Sequence, residues 1–155
     1  MKRLLSLLFV GMVGAAPLMA GQSGEAGAAT DPSRNAEYIW VLNADAVAHE
    51  IGDIVVFKDG TYDGVEVATT TSADNKLAAG IVARQDMPAS GWGFVQVYGY
   101  HSAATIGVAN AAGDCLGTST TAEAATVTTT AGACIATALE ATTSSTTVKV
   151  LIHAK

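Results

Sequence analysis

The run Trp92-Gly93-Phe94-Val95-Gln96-Val97-Tyr98-Gly99-Tyr100 limits the choice of fold more than any other stretch of this chain. Side chains of a β-strand alternate between faces, so Trp92, Phe94, Gln96, Tyr98 and Tyr100 share one face and Gly93, Val95, Val97 and Gly99 the other. One face is bulky, the other is small, and neither carries a charge. A strand of this kind needs cover on both sides, from its own core and from a neighbour. It describes a β protein built to pack against something, and it points to no reaction.

Strand signals recur along the rest of the sequence. Glu37 to Leu42 alternates, with Tyr38, Trp40 and Leu42 on one face. Ile51 to Phe57 is a strand entered through a Gly-Asp turn, and Asp59-Gly60 is a tight-turn pair that should close a hairpin onto Gly64 to Ala68. Leu77 to Ala83 follows, then the loop Met87 to Gly91, the aromatic strand, Ala104 to Val108, Cys115 to Gly117, Ala125 to Thr130, Cys134 to Leu139 and Thr147 to His153. In the last of these Val148, Val150 and Ile152 share a face. Thr- and Val-rich stretches with regular Gly favour strands, and only Thr121 to Ala125 could form a short helical turn. The expected fold is all-β, a small β-barrel or sandwich.

A weak internal repeat runs through the series. Ile51-Gly52-Asp53-Ile54 resembles Ala112-Gly113-Asp114-Cys115. Gly80-Ile81-Val82-Ala83 followed by Asp86 resembles Cys134-Ile135-Ala136-Thr137 followed by Glu140. Either two similar halves close one barrel, or β turns simply look alike. A pseudo-twofold superposition of the halves would support duplication, and unrelated strand orders would exclude it.

The N-terminus has a different character. Lys2-Arg3 precedes the apolar run Leu4 to Val13, and small residues follow to Ala20. That layout fits a secretory signal, although cleavage after Ala20 would leave bulky Leu18 at the minus-three position. It equally fits an apolar arm, in which Leu4, Leu5, Leu7, Leu8, Phe9 and Val10 bury themselves against a partner. The arm is the expectation adopted here. Gly21 to Asn35 reads as a Gly/Ala-rich linker, so the division is residues 1–35 for arm and linker and 36–155 for one β domain.

Composition narrows the function. The chain has 155 residues, only 14% of them charged, with a net charge of -6. Apart from Lys2-Arg3 no basic cluster exists to displace counterions from nucleic acid, so no nucleic-acid partner is expected. His49, His101 and His153 are far apart and read as surface or strand-end residues, with no metal site and no cofactor. Asp59 to Gly64 only faintly suggests a calcium loop, since it lacks the alternating acidic ligands. Cys115 and Cys134 could pair if their strands are neighbours in an oxidising compartment, but free buried thiols are the preferred reading. Neither a Gly-x-Ser-x-Gly elbow nor a phosphate loop is present, and no enzyme or small-molecule substrate is expected.

Gly80-Ile81-Val82-Ala83, then Gly91 to Tyr100, then Ala112-Gly113-Asp114-Cys115-Leu116 resemble the capsid decoration, or cement, proteins of tailed phages. Ile135 to Glu140 followed by Val148 to Ile152 is similar to their closing segment. The resemblance covers Ile51 to the C-terminus, and the apolar N-terminus departs from it. It implies a structural virion protein on the outer capsid surface. Its partners would be the major capsid protein and itself, as a homotrimer or a dimer, and it would hold the shell together by bridging subunits. Trp92, Phe94, Tyr98 and Tyr100 are then the interface candidates beside the arm. For Trp92 and Phe94 a place in the barrel core is the competing and favoured expectation. Two other readings stay open: a secreted bacterial surface domain with a cleaved signal, and a β module that stacks sugars on its aromatic face.

Overall fold

The computed structural model of the chain describes residues 35–58 and 64–154. The proposed arm, Leu4, Leu5, Leu7, Leu8, Phe9 and Val10, lies outside these residues, as does the Asp59-Gly60 turn. The described residues form nine strands and no α-helix. They are β1 (Glu37–Asn43), β2 (Ile54–Phe57), β3 (Glu66–Ala68), β4 (Ala78–Ala83), β5 (Trp92–Ile106), β6 (Cys115–Thr118), β7 (Ala125–Val127), β8 (Ala136–Ala138) and β9 (Thr146–His153). The helical turn expected near Thr121 is instead a bend, in which Glu123 adopts φ 69° before β7 begins.

Pairing closes the strands into two rings that share β5. The first runs β1-β3-β2-β4-β5, with β5 returning onto β1; the second runs β5-β7-β6-β8-β9, with β9 returning onto β5. Trp92 to Tyr98 of β5 pair with β1, and Tyr98 to Ile106 pair with β9. The aromatic strand and Ala104 to Val108, separate in the sequence reading, are therefore one strand of 15 residues. Gln96, buried, donates from Nε2 to the carbonyls of Tyr98 at 3.0 Å and Tyr100 at 2.9 Å, which ties the backbone together where β5 passes from one ring to the other.

The two rings repeat one diagram. β1 is parallel to β3, as the second part of β5 is to β7. β2 is antiparallel to β3 and β4, as β6 is to β7 and β8. β4 meets β5 as β8 meets β9. The entry turns match at the level of atoms. The Glu50 amide donates to Asp53 Oδ2 at 2.7 Å, and the Ala111 amide to Asp114 Oδ2 at 2.7 Å. Gly52 and Gly113 hold φ 103° and 92°, which an L side chain rarely adopts. The two halves thus share one strand diagram, as duplication requires, but each closes its own ring on β5 rather than the two closing one barrel.

Packing follows ring size. A five-stranded ring is narrow, and the first is filled by Val41, Val55, Val67, Ala79, Val82, Met87 and Val95. A larger cluster joins Ile54, Val56, Ala78 and Ile81 of the first ring to Ile106, Leu116, Ala136, Val150 and Ile152 of the second. Because β2 and β4 are covered on both faces, they read as unbroken apolar runs without polar alternation. Polar bonds reinforce the seam. The buried Thr118 hydroxyl donates to the Ser72 carbonyl at 2.9 Å and accepts from the Asn75 amide at 2.7 Å.

The structure overturns two expectations of the sequence. Cys115 and Cys134 are not free thiols but a disulfide, their Cα atoms 5.6 Å apart. β6 pairs antiparallel with β8, and the segment that leads into β8, with the Ile135 amide donating to the Leu116 carbonyl at 2.9 Å, carries Cys134 to Cys115. His49 and His101 are not surface or strand-end residues: His49 is wholly buried, its backbone paired with that of Met87, and His101 is buried within β5.

Candidate functional site

The outer face of β1 and β5 in the first ring carries the chain's largest exposed side chains. The register sets Trp40 opposite Phe94, Leu42 opposite Trp92 and Tyr38 opposite Gln96. Trp40, Leu42, Trp92 and Phe94 therefore point outward, since their alternating neighbours Val41 and Val95 face into the ring. The buried side chains of that interior are Val, Ala and Met, with Phe57 the aromatic that packs against them. Placement of Trp92 and Phe94 in the barrel core is therefore incorrect: Trp92 is 44% exposed and Phe94 is half-buried under other rings.

The rings on this face are ordered by one another. Trp40, 50% exposed, lies parallel to Trp92 within 9° at a centroid distance of 6.2 Å. Phe94 meets Trp40 edge-on at 4.5 Å and Tyr38 at 6.5 Å. The Arg84 guanidinium sits 4.1 Å over the Tyr38 ring and 4.8 Å from that of Phe94, a cation–π contact on both. The result is a pre-formed apolar platform with one cation at its edge. Aromatic and Arg side chains of this kind are favoured at the buried centre of protein interfaces.

Tyr98 and Tyr100 separate from this platform. Tyr98 is 48% exposed and adjoins Asn35, Ala36 and Glu37 where β5 leaves β1. Tyr100 is half-buried and lines a groove of about 270 Å³ with Tyr38, Ile51, Arg84 and Ser102. Tyr100 shares its groove with Tyr38 and Arg84 of the platform, whereas Tyr98 lines a separate hollow. The sequence does place Tyr38 and Trp40 on one face. The missing information was the register of β1 against β5, which makes that face and the β5 face one surface.

Groups with reactive chemistry lie elsewhere. His153 Nε2 is 3.7 Å from Cys134 Sγ and 3.1 Å from Thr137 Oγ1, beside a hollow of about 390 Å³. The Cys134 sulfur is bonded to Cys115, so it offers no thiolate. His101 is buried in β5, and burial holds its imidazole below the usual range. The fold also brings together donors that the sequence scatters: ligand atoms of His49, Asp53 and Glu123 lie within 4.8 Å of one another. Burial pushes the Asp53 carboxyl above its ordinary range, the Glu50 amide draws it back, and the Glu123 charge raises it further.

No family model and no curated protein matches the chain. Among solved structures, it is similar to the N base of head fiber gp8.5 of bacteriophage phi29, with a TM-score of 0.51 and 17% identity over 75% of this chain and 94% of that one. At this identity the likeness is one of fold.

Proposed function

We propose that the chain is a structural protein of a phage virion. In this reading it binds the outer surface of the capsid, contacts the major capsid protein, and stabilises the shell by bridging its subunits, with itself as a second partner in a trimer or dimer. The observation that carries the proposal is the exposed aromatic platform, in which Trp40 and Trp92 lie parallel and Phe94 packs edge-on against Trp40. Support comes from the fold, which is like that of a head fiber base, and from the low charge of the chain. The role is binding alone. Many weak identical contacts, repeated over a lattice, give avidity without any single strong site.

The test uses the purified chain and expanded phage heads stripped of decoration. Wild type should self-associate by light scattering, co-sediment saturably with the heads and raise the temperature at which they rupture. The double variant Trp40→Ala/Trp92→Ala should lose these properties while its far-ultraviolet circular dichroism stays the same. Wild-type binding to the heads by an unaffected double variant would remove the platform from the contact. A wild type that neither associates nor binds would remove the whole reading.

The disulfide favours one further reading, a secreted bacterial surface domain, because such bonds form in oxidising compartments. Virions released from the host meet the same conditions, so the bond fits both. Intact mass of the mature chain separates them: loss of the first ~20 residues signifies export.

A further inference from the structure

His49 is fully buried between two carboxylates. Its Nδ1 lies 3.2 Å from Glu123 Oε1, and its Nε2 lies 3.4 Å from Asp45 Oδ2. Nε2 has no hydrogen-bond partner, and Asp45 Oδ2 already accepts from the Thr69 amide at 2.7 Å and hydroxyl at 3.0 Å. A ring with one N–H can serve only one of the two carboxylates, and a doubly protonated ring would carry a single positive charge among three of them. Asp53, 6% exposed, adds a third carboxylate to the same space. The cluster holds an excess of negative charge around one buried ring.

We propose that His49 Nδ1, Asp53 and Glu123 bind a divalent cation of the zinc type, with Asp45, 3.4 Å from Nε2 and not hydrogen-bonded to it, placed to orient the ring once the ion is bound. Two donors each about 2.1 Å from one tetrahedral ion stand about 3.4 Å apart, close to the spacing of His49 Nδ1 and Glu123 Oε1. At 3.2 Å the same pair meets as a hydrogen bond, which the ion would replace. A carboxylate on the second ring nitrogen fixes the tautomer that presents the first nitrogen to the metal. Mixed nitrogen and oxygen donors suit zinc better than calcium or magnesium. The Glu123 side chain is 36% exposed, which leaves an entry path and room for water as a further ligand.

Comparison of the two rings supports the site independently. Asn110 occupies in the second ring the place of His49: each forms an isolated bridge, to Thr142 and Met87 respectively, and each directly precedes the repeated turn. Asn110 is neutral and satisfied. Its amide donates to the Glu140 carbonyl at 2.8 Å and the Ala111 carbonyl at 3.1 Å, and its oxygen accepts from Thr142 Oγ1 at 2.7 Å. The fold thus needs no histidine here. The bound ion would join the first ring, through His49 and Asp53, to the second, through Glu123.

The experiment takes the untagged chain, strips it with a chelator and titrates it with Zn²⁺, Ca²⁺ and Mg²⁺ by calorimetry and by thermal melting. One zinc ion should bind saturably and raise the melting temperature, with Ca²⁺ and Mg²⁺ weaker. His49→Asn, which installs the residue of the second ring, and Glu123→Gln should each weaken zinc at least about tenfold, and Asp45→Asn about tenfold. Metal-free melting of Glu123→Gln should stay near that of wild type, because its side chain is partly exposed; this variant decides the matter if His49→Asn does not fold. Absence of saturable zinc uptake by wild type, or equal uptake by wild type and Glu123→Gln, overturns the proposal.

Discussion

At the residue scale, the paired turns separate two reasons for glycine. Both Gly52 and Gly113 hold positive φ, so an L side chain at either is strained by about 1–2 kcal/mol. Their surroundings differ. A Cβ on Gly113 would meet nothing within 4 Å, whereas one on Gly52 would lie 2.2 Å from the Ala103 carbonyl oxygen. That carbonyl belongs to β5, and the approach is fixed by the Thr105 amide donating to the Gly52 carbonyl at 2.9 Å. Gly113→Ala should therefore cost only the conformational strain, and Gly52→Ala roughly 1–3 kcal/mol more from overpacking. Chemical denaturation of the two variants checks this, and equal losses would show that the backbone yields at Gly52. The Gly-Asp pair is legible in the sequence at both places. The clash at one of them is not, because it comes from a strand about fifty residues away in the chain.

At the element scale, short strands depend on what ties them to neighbours. β6 and β8 span Cys115–Thr118 and Ala136–Ala138, and two register pairs join them. The Cys115–Cys134 bond, across a sequence separation of 19, limits the unfolded chain in the same region. In the loop-entropy picture a closure of this length contributes about 3 kcal/mol. Cys115→Ala/Cys134→Ala should lower the melting temperature by roughly 10 °C, while reductant should leave the melting of the double variant unchanged. A variant that melts with wild type would mean that β6 and β8 are held by packing alone. Strand positions were largely legible, since Val, Ile and Thr alternate between glycines. Strand adjacency was not, and the pairing of the cysteines depended on it.

For the molecule as a whole, the shared strand and the joined core make two rings one folding unit. Trp40 and Trp92 both lie in the first ring, so tryptophan fluorescence reports on that ring while circular dichroism reports on all strands. The two signals should trace one coincident thermal transition, because Ile54, Val56 and Ile81 of the first ring pack against Val150 and Ile152 of the second. Two separated transitions would mean that each ring is stable without the other. The amino-acid sequence by itself determined the strand class, the duplicated turns and the alternation that puts bulk on one face of β5, because these depend on backbone geometry and on residues a few positions apart. Only the tertiary structure decided which face is inside. Closure of β5 onto β1 and β4 turned the small face of β5 inward, so valines took the interior of the first ring and Trp40, Trp92 and Phe94 were left outside it. Tertiary folding likewise chose the partners of Cys115 and of His49, whose neighbours are set by closure of the rings rather than by spacing along the chain.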